Sequence, residues 1–142
     1  MNNENKLVVL PQRLAEEYRS DSPWACVSIT DPMDSEARIN KCQLVDVLRP
    51  QFKDIDFEDE FSFTVEHADQ ILDFVKKWWD EIDVLVIHCY AGRCRSPAVA
   101  AIVSKIYYGN DMKWFKGYTP NMLVYRKLWL RVNEREDFPE IR

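Results

Sequence analysis

The residues best placed to do chemistry lie together in one stretch, His88-Cys89-Tyr90-Ala91-Gly92-Arg93-Cys94-Arg95-Ser96-Pro97, directly after the apolar run Val84–Ile87. Ser96 followed by Pro97 reads as a helix start. A serine oxygen accepts from unpaired first-turn amides, and proline at the first helical position gives up no hydrogen bond. The stretch is therefore a loop ending at a helix N-terminus, where free N–H groups and the positive end of the helix dipole face an anion. Gly92 lets the chain turn so that successive amides point inward. Arg95 adds a planar fork matched to two oxygens of a phosphate-like group. Cys89 sits at the floor of this cradle, where helix N-termini and guanidinium groups favour thiolate over thiol. A nucleophile aimed at a bound anion is useful when the anion is itself the electrophile, as in a phosphate monoester attacked at phosphorus. Arg95 and the amides would then hold the equatorial oxygens while sulfur and leaving oxygen lie in line.

Such a loop needs a strand to end at Cys89 and a helix to begin after it, and the pattern supplies both. Leu7–Leu10, Ala25–Ile29, Cys42–Leu48 and Asp83–His88 read as strands, the first three closed by Pro11, Asp31-Pro32 and Pro50. Gln12 to Tyr18 reads as helical. From Thr64 to Glu81, Ala68, Ile71, Phe74, Val75 and Trp78 recur at helical steps on one face, and Ser96 to Tyr107 is apolar nearly all round, ended by Gly109. A last helix is expected to open with Thr119 as cap and Pro120 at its first position, followed by an exposed charged tail after Asn133. Alternating strands and helices call for an α/β fold: a single domain, residues 1–142, with a mostly parallel central sheet flanked by helices on both faces. Ligands in such sheets bind beyond the carboxyl ends of the strands, where the loop lies.

Composition limits the alternatives. The chain has 142 residues, 46% apolar and 30% charged, with 24 acidic against 19 basic residues and a net charge of −5. That balance gives no general grip on nucleic acid or on an anionic membrane surface. The apolar stretch around Pro97 to Val103 is far short of a bilayer span, and the start Met1-Asn-Asn-Glu-Asn-Lys lacks the pattern of a signal peptide. The four cysteines, Cys26, Cys42, Cys89 and Cys94, read as reduced thiols in a cytoplasmic setting. They lack the spacing of a zinc finger, so neither metal nor cofactor is expected. Cys26 and Cys42 read as inert strand residues, His67 as solvated, and Trp114, Phe115 and Tyr118 as candidates to flank a substrate ring.

Cys89, five residues and then Arg95-Ser96, preceded by His88, resembles the signature of the cysteine-dependent protein tyrosine phosphatases, in particular their small dual-specificity-like branch. The resemblance spans roughly Leu44 to Leu130. It implies a phosphocysteine formed on Cys89, a phosphate clamp in Arg95, Ser96 helping the thiolate to leave, and His88 tuning Cys89. Thr119-Pro120-Asn121 is similar to the Pro-Asn start of the family's last helix, which gives Asn121 a supporting role. The family also carries an aspartic acid some thirty residues before the cysteine, and Lys53-Asp54-Ile55-Asp56-Phe57-Glu58-Asp59-Glu60 offers five acids there. Asp54, thirty-five residues upstream of Cys89, is the first choice of general acid, with Asp56 and Asp59 as alternatives. Cys94 departs from the usual loop and is similar to a second cysteine in the low-molecular-weight phosphatases, which suggests a protective Cys89–Cys94 disulfide.

The expected activity is metal-independent hydrolysis of phosphotyrosine in proteins or peptides, with phosphoserine and phosphothreonine if the pocket is shallow, and with phosphate or vanadate able to fill the loop. Three alternatives share parts of the pattern: a phosphoinositide, nucleotide or RNA 5′-phosphatase, a rhodanese-like sulfurtransferase, and a phosphate-binding module without turnover. A loop richer in lysine would favour the first, and the upstream acids have no use in the second.

Overall fold

Two apolar runs buried on both faces, Trp24–Ser28 and Val84–Cys89, can be covered only from inside a sheet, and the other strands flank them accordingly. The structure, a computed structural model, describes residues 6–138. Strands β1 (Leu7–Pro11), β2 (Trp24–Ser28), β3 (Leu44–Leu48) and β4 (Val84–Cys89) form one sheet in the order β1-β4-β2-β3. Every pairing is parallel, so all four carboxyl ends lie along one edge. Helices α1 (Gln12–Glu17), α2 (Val65–Trp78), α3 (Arg95–Tyr108) and α4 (Met122–Glu134) cover the faces.

The period of two along the strands sorts their side chains. Ala25, Val27, Leu85 and Ile87 join Ile71, Val75, Ala98, Ile102, Val124 and Leu128 in the larger core, under α2, α3 and α4. Trp24, Cys26 and Val86 face the other way, onto Ala15 of α1 and onto Ala37 and Ile39 of a non-helical segment. The two faces are thus covered unequally, three helices against one short one. No helix among the described residues is long and apolar enough to cross a membrane.

Several local expectations are corrected. Helix α3 begins at Arg95 with Cys94 in the cap position, because the Ser96 hydroxyl turns toward Cys89 instead of capping amides. Helix α4 begins at Met122, since Asn121 Oδ1 accepts from Leu123 N at 3.0 Å and Val124 N at 3.1 Å while Thr119 gives its amide to Arg93. Within the described part of the tail, Glu134 and Glu136 are exposed as expected, but Phe138 is buried and Arg135 pairs with Asp69, Asp73 and Asp137; the expectation for residues 139–142 lies outside the described residues. Trp114 is buried against Tyr118 in the core around α3 and α4, while Phe115 packs edge-on to Tyr125 and stays 42% exposed. Cys42 lies exposed in a turn, while burial in β2 pushes the Cys26 thiol up to about 12.

His67 is not solvated. It forms a capping box with Thr64: His67 N donates to Thr64 Oγ1 at 3.1 Å, and Thr64 N donates back to His67 Nδ1 at 3.0 Å. The ring stacks against Phe63 and leans on Phe52. Burial holds its pKa below the ordinary imidazole value, Lys127 adding to the effect, and burial does the same to His88. Both rings are favoured neutral in the fold, so the stability they contribute is present above the unfolded-state value of about 6.5 and is lost as pH falls through the lower folded values. The urea midpoint is expected to hold between about pH 8 and 7 and to drop between about pH 6.5 and 5. His67→Gln, whose amide oxygen can replace Nδ1 as acceptor, should flatten part of that drop, while His67→Ala should cost about 1 kcal/mol at neutral pH as a lost cap does. A midpoint unchanged between pH 7 and 5 in the wild type would contradict the assignment.

Candidate active site

Because the sheet is parallel, the chain leaves β1, β2, β3 and β4 on the same side, so the three other connections leave the sheet on the side of the loop after Cys89. The loop is docked by backbone bonds on both flanks. Gln12 N donates to Tyr90 O at 3.0 Å on the β1 side, and Thr119 N and Asn121 N donate to Arg93 O and Cys94 O at 3.0 and 2.8 Å on the α4 side. Gly92 takes a left-handed φ of 69° and lies so near β1 that an added Cβ would stand 2.7 Å from Pro11 N and 2.8 Å from the Leu10 carbonyl carbon. Only glycine meets both demands.

Cys89 is buried at the bottom. Gly92 N donates to its Sγ at 3.3 Å, and Ser96 Oγ lies 3.1 Å from the same sulfur. Both contacts suit a thiolate acceptor, since amide and hydroxyl can each point a proton at it. His88 is fully buried beside it. Strand register sets Ser28 of β2 opposite His88, and Ser28 Oγ lies 2.6 Å from Nε2, with Nδ1 in a long 3.4 Å contact to Cys89 O. The imidazole is thus a fixed, neutral neighbour that reaches Cys89 through the backbone. Cys94 Sγ turns the other way, to 3.3 Å from Thr119 Oγ1, and all four cysteines are free. This arrangement gives the Cys89–Cys94 disulfide no support.

Arg95 is 6% exposed, and one of its nitrogens is fully engaged: Nη1 donates to Asp31 Oδ1 at 2.6 Å and to Phe52 O at 2.8 Å. Its Nε is buried with no partner. A buried guanidinium donor without an acceptor is costly and calls for an explanation. An oxyanion held by the loop would supply the acceptor. The two partners of Nη1 come from neighbouring connections, because beyond the strands Thr30 bridges to Gln51, with Phe52 N donating to Thr30 O at 3.1 Å. Asp31 and Phe52 are the residues that follow. Sequence reasoning missed Asp31; the available signal was its place in Asp31-Pro32 just past a strand end on the loop's side of the sheet.

Asp54 stands two residues beyond Phe52 and is exposed. Its Oδ1 accepts from Asn121 Nδ2 at 2.8 Å, and the same nitrogen donates to Ile55 O at 3.0 Å. Asn121 therefore caps α4 with one end of its amide and holds the acidic segment with the other. Asp54 and Asp56 line a cleft of about 390 Å3 with Phe57, Cys94, Thr119 and Asn121. Asp59 lies elsewhere, its carboxylate taking the Phe61 amide at 3.4 Å within its own turn, and Glu58 pairs with Lys127 at 2.8 Å. Tyr90, Ala91 and Arg93 are exposed on the loop, and Gly92 among them is buried.

No protein-family model and no curated sequence matches the chain. Solved structures do. A mouse putative dual specificity phosphatase complexed with zinc tungstate superposes with a TM-score of 0.69 at 16% identity, covering 98% of this chain and 89% of that one. Human DUSP28 gives 0.66 at 17% identity over 91% and 92% of the two chains. The human tyrosine phosphatase-like serine/threonine/tyrosine-interacting protein gives 0.66 at 14% over 94% and 95%. The parallel sheet with its loop between β4 and α3 is thus the protein tyrosine phosphatase fold, in the form found in the small dual-specificity branch.

Proposed function

We propose that the chain is a metal-independent phosphatase that hydrolyses phosphotyrosine in proteins through a phosphocysteine on Cys89. The observation that carries this reading is the pairing of a buried thiol, contacted by Gly92 N and Ser96 Oγ, with a buried Arg95 Nε that lacks an acceptor. One needs an electrophile and the other an anion, and a phosphate monoester is both. In the first step Cys89 Sγ attacks phosphorus, Arg95 Nε and the loop amides hold the equatorial oxygens, and the tyrosine oxygen leaves with a proton from Asp54. Asn121 fixes Asp54 through Oδ1, leaving Oδ2 to carry that proton. In the second step Asp54 takes a proton from water as its oxygen attacks phosphorus, and Ser96 Oγ stabilises the departing thiolate. Asp56, in the same cleft, is the alternative acid. The fold likeness and a neighbour complexed with tungstate, itself a tetrahedral oxyanion, are consistent with this chemistry. A second reading has its own observation: one matching structure is named a phosphatase-like interacting protein, which fits a module that binds phosphotyrosine without turnover.

Hydrolysis of an aryl phosphate with EDTA present decides between them. Wild type should turn over and be blocked by vanadate, Cys89→Ser should be inactive, and Asp54→Ala should lose about 10²–10⁴-fold in kcat, the usual share of a general acid. An unaffected Asp54→Ala variant would move the role to Asp56, and a silent wild type that binds phosphotyrosine would favour the module. Gly92→Ala tests the cradle itself. It should lower stability by at least about 1 kcal/mol from the left-handed backbone alone and remove most turnover, because the new Cβ pushes the loop off Leu10 and Pro11. Retention of wild-type kcat in that variant would contradict the tight docking of the loop.

A further inference from the structure

The loop has a second neighbour besides the Asp54 cleft. On the opposite side Gln12, Thr30, Asp31, Asp34, Tyr90 and Arg95 line a cleft of about 300 Å3. Its acids are placed by a turn. Asp34 N donates to Asp31 O at 3.2 Å, Pro32 follows Asp31, and Met33 takes a left-handed φ of 71°. This is the pattern of a type II turn, whose first and last residues stand within about 7 Å of each other. A non-glycine residue at that φ carries strain, and Met33 is 93% exposed, with no burial to offset it. The turn sets two carboxyl-bearing residues side by side. Asp31 gives one oxygen to Arg95 and remains 44% exposed, and Asp34 is exposed.

A second, independent observation fixes what lies next to these acids. Arg95 lines the same cleft, and its buried Nε has no acceptor, so an oxyanion taken by Arg95 would lie beside this cleft. The group that carries the anion then lies against Asp31 and Asp34, with Tyr90, 76% exposed, as the outer wall. Across the loop the other cleft is also acidic, through Asp54 and Asp56. A carrier with further negative charge, such as a polyphosphorylated headgroup or a nucleic acid end, would be repelled on both sides. A lysine or arginine beside the phosphoresidue would meet a carboxylate, and its aliphatic stem could lie along the Tyr90 ring.

We propose, on the basis of the phosphatase reading above, that the Asp31–Asp34 cleft is a specificity subsite selecting phosphotyrosine peptides with a basic residue next to the phosphotyrosine. Three phosphotyrosine peptides alike except for Lys, Ala or Glu on both sides of the phosphotyrosine test it. Wild type should rank them Lys, Ala, Glu in kcat/KM, with Lys above Glu by about fivefold, the size of one or two exposed ion pairs. The spread should shrink at about 0.5 M salt. Asp34→Lys should abolish or invert the ranking, a ratio taken within one variant and so independent of its folded fraction. Affinities of the same peptides for Cys89→Ser read the same preference without turnover, while the wild type's hydrolysis of a plain aryl phosphate reads the catalytic assignment separately. A Lys-to-Glu ratio within twofold in both assays, or one that Asp34→Lys leaves unmoved, would overturn the subsite even if catalysis is confirmed. A preserved affinity ranking with no hydrolysis would uphold the subsite and sink the catalysis.

Discussion

A guanidinium buried at the end of a sheet has to be surrounded by acceptors, and Arg95 imposes that requirement on everything near it. Asp31 from the β2 connection and the Phe52 carbonyl from the β3 connection both converge on Nη1, so two separate stretches are pinned by one nitrogen. Removing charge from water costs several kcal/mol unless the partners are close and well directed, which makes the positions of those stretches tightly constrained. The compensation is left incomplete at Nε. A donor left open in this way would gain its hydrogen bond from an oxyanion bound in the loop, which is what the proposed chemistry asks of Arg95.

The other constraints serve the same centre. Gly92 lets the loop lie on β1, and the capping residues of α4 close it from the far side, so the loop is clamped between the first strand and the last helix. Cys89 gains its neighbours from this clamp and not from residues adjacent in sequence alone: Ser96 comes back over the thiol because the turn at Gly92 brings the start of α3 above the end of β4.

Much of this was legible in the residues. The apolar runs Ala25–Ile29 and Asp83–His88 read as strands, and the loop between the second of them and a helix start at Ser96-Pro97 read as an anion cradle. What could not be read was any partnership across sequence. Asp31 is sixty-four residues from Arg95, and nothing local distinguishes it from the acids of an ordinary turn. Asn121 looked like a family mark, but it takes the cap that Thr119 was expected to make, whose hydroxyl lies instead 3.3 Å from Cys94 Sγ. His67 looked solvated because its one-letter neighbours are charged, whereas Phe52 and Phe63 reach it from elsewhere in the chain. Helix starts were misplaced for a related reason: local capping rules assume that a serine or threonine is free to cap.

The two-ended use of Asn121 has a dynamic consequence. Its Oδ1 caps the first turn of α4 while its Nδ2 holds Asp54 and the Ile55 carbonyl, so a turn of this one side chain would free the helix end and the acidic segment together. A ligand that steadies Asp54 in its bond to Asn121 would then slow hydrogen exchange at Leu123 and Val124, amides it never touches.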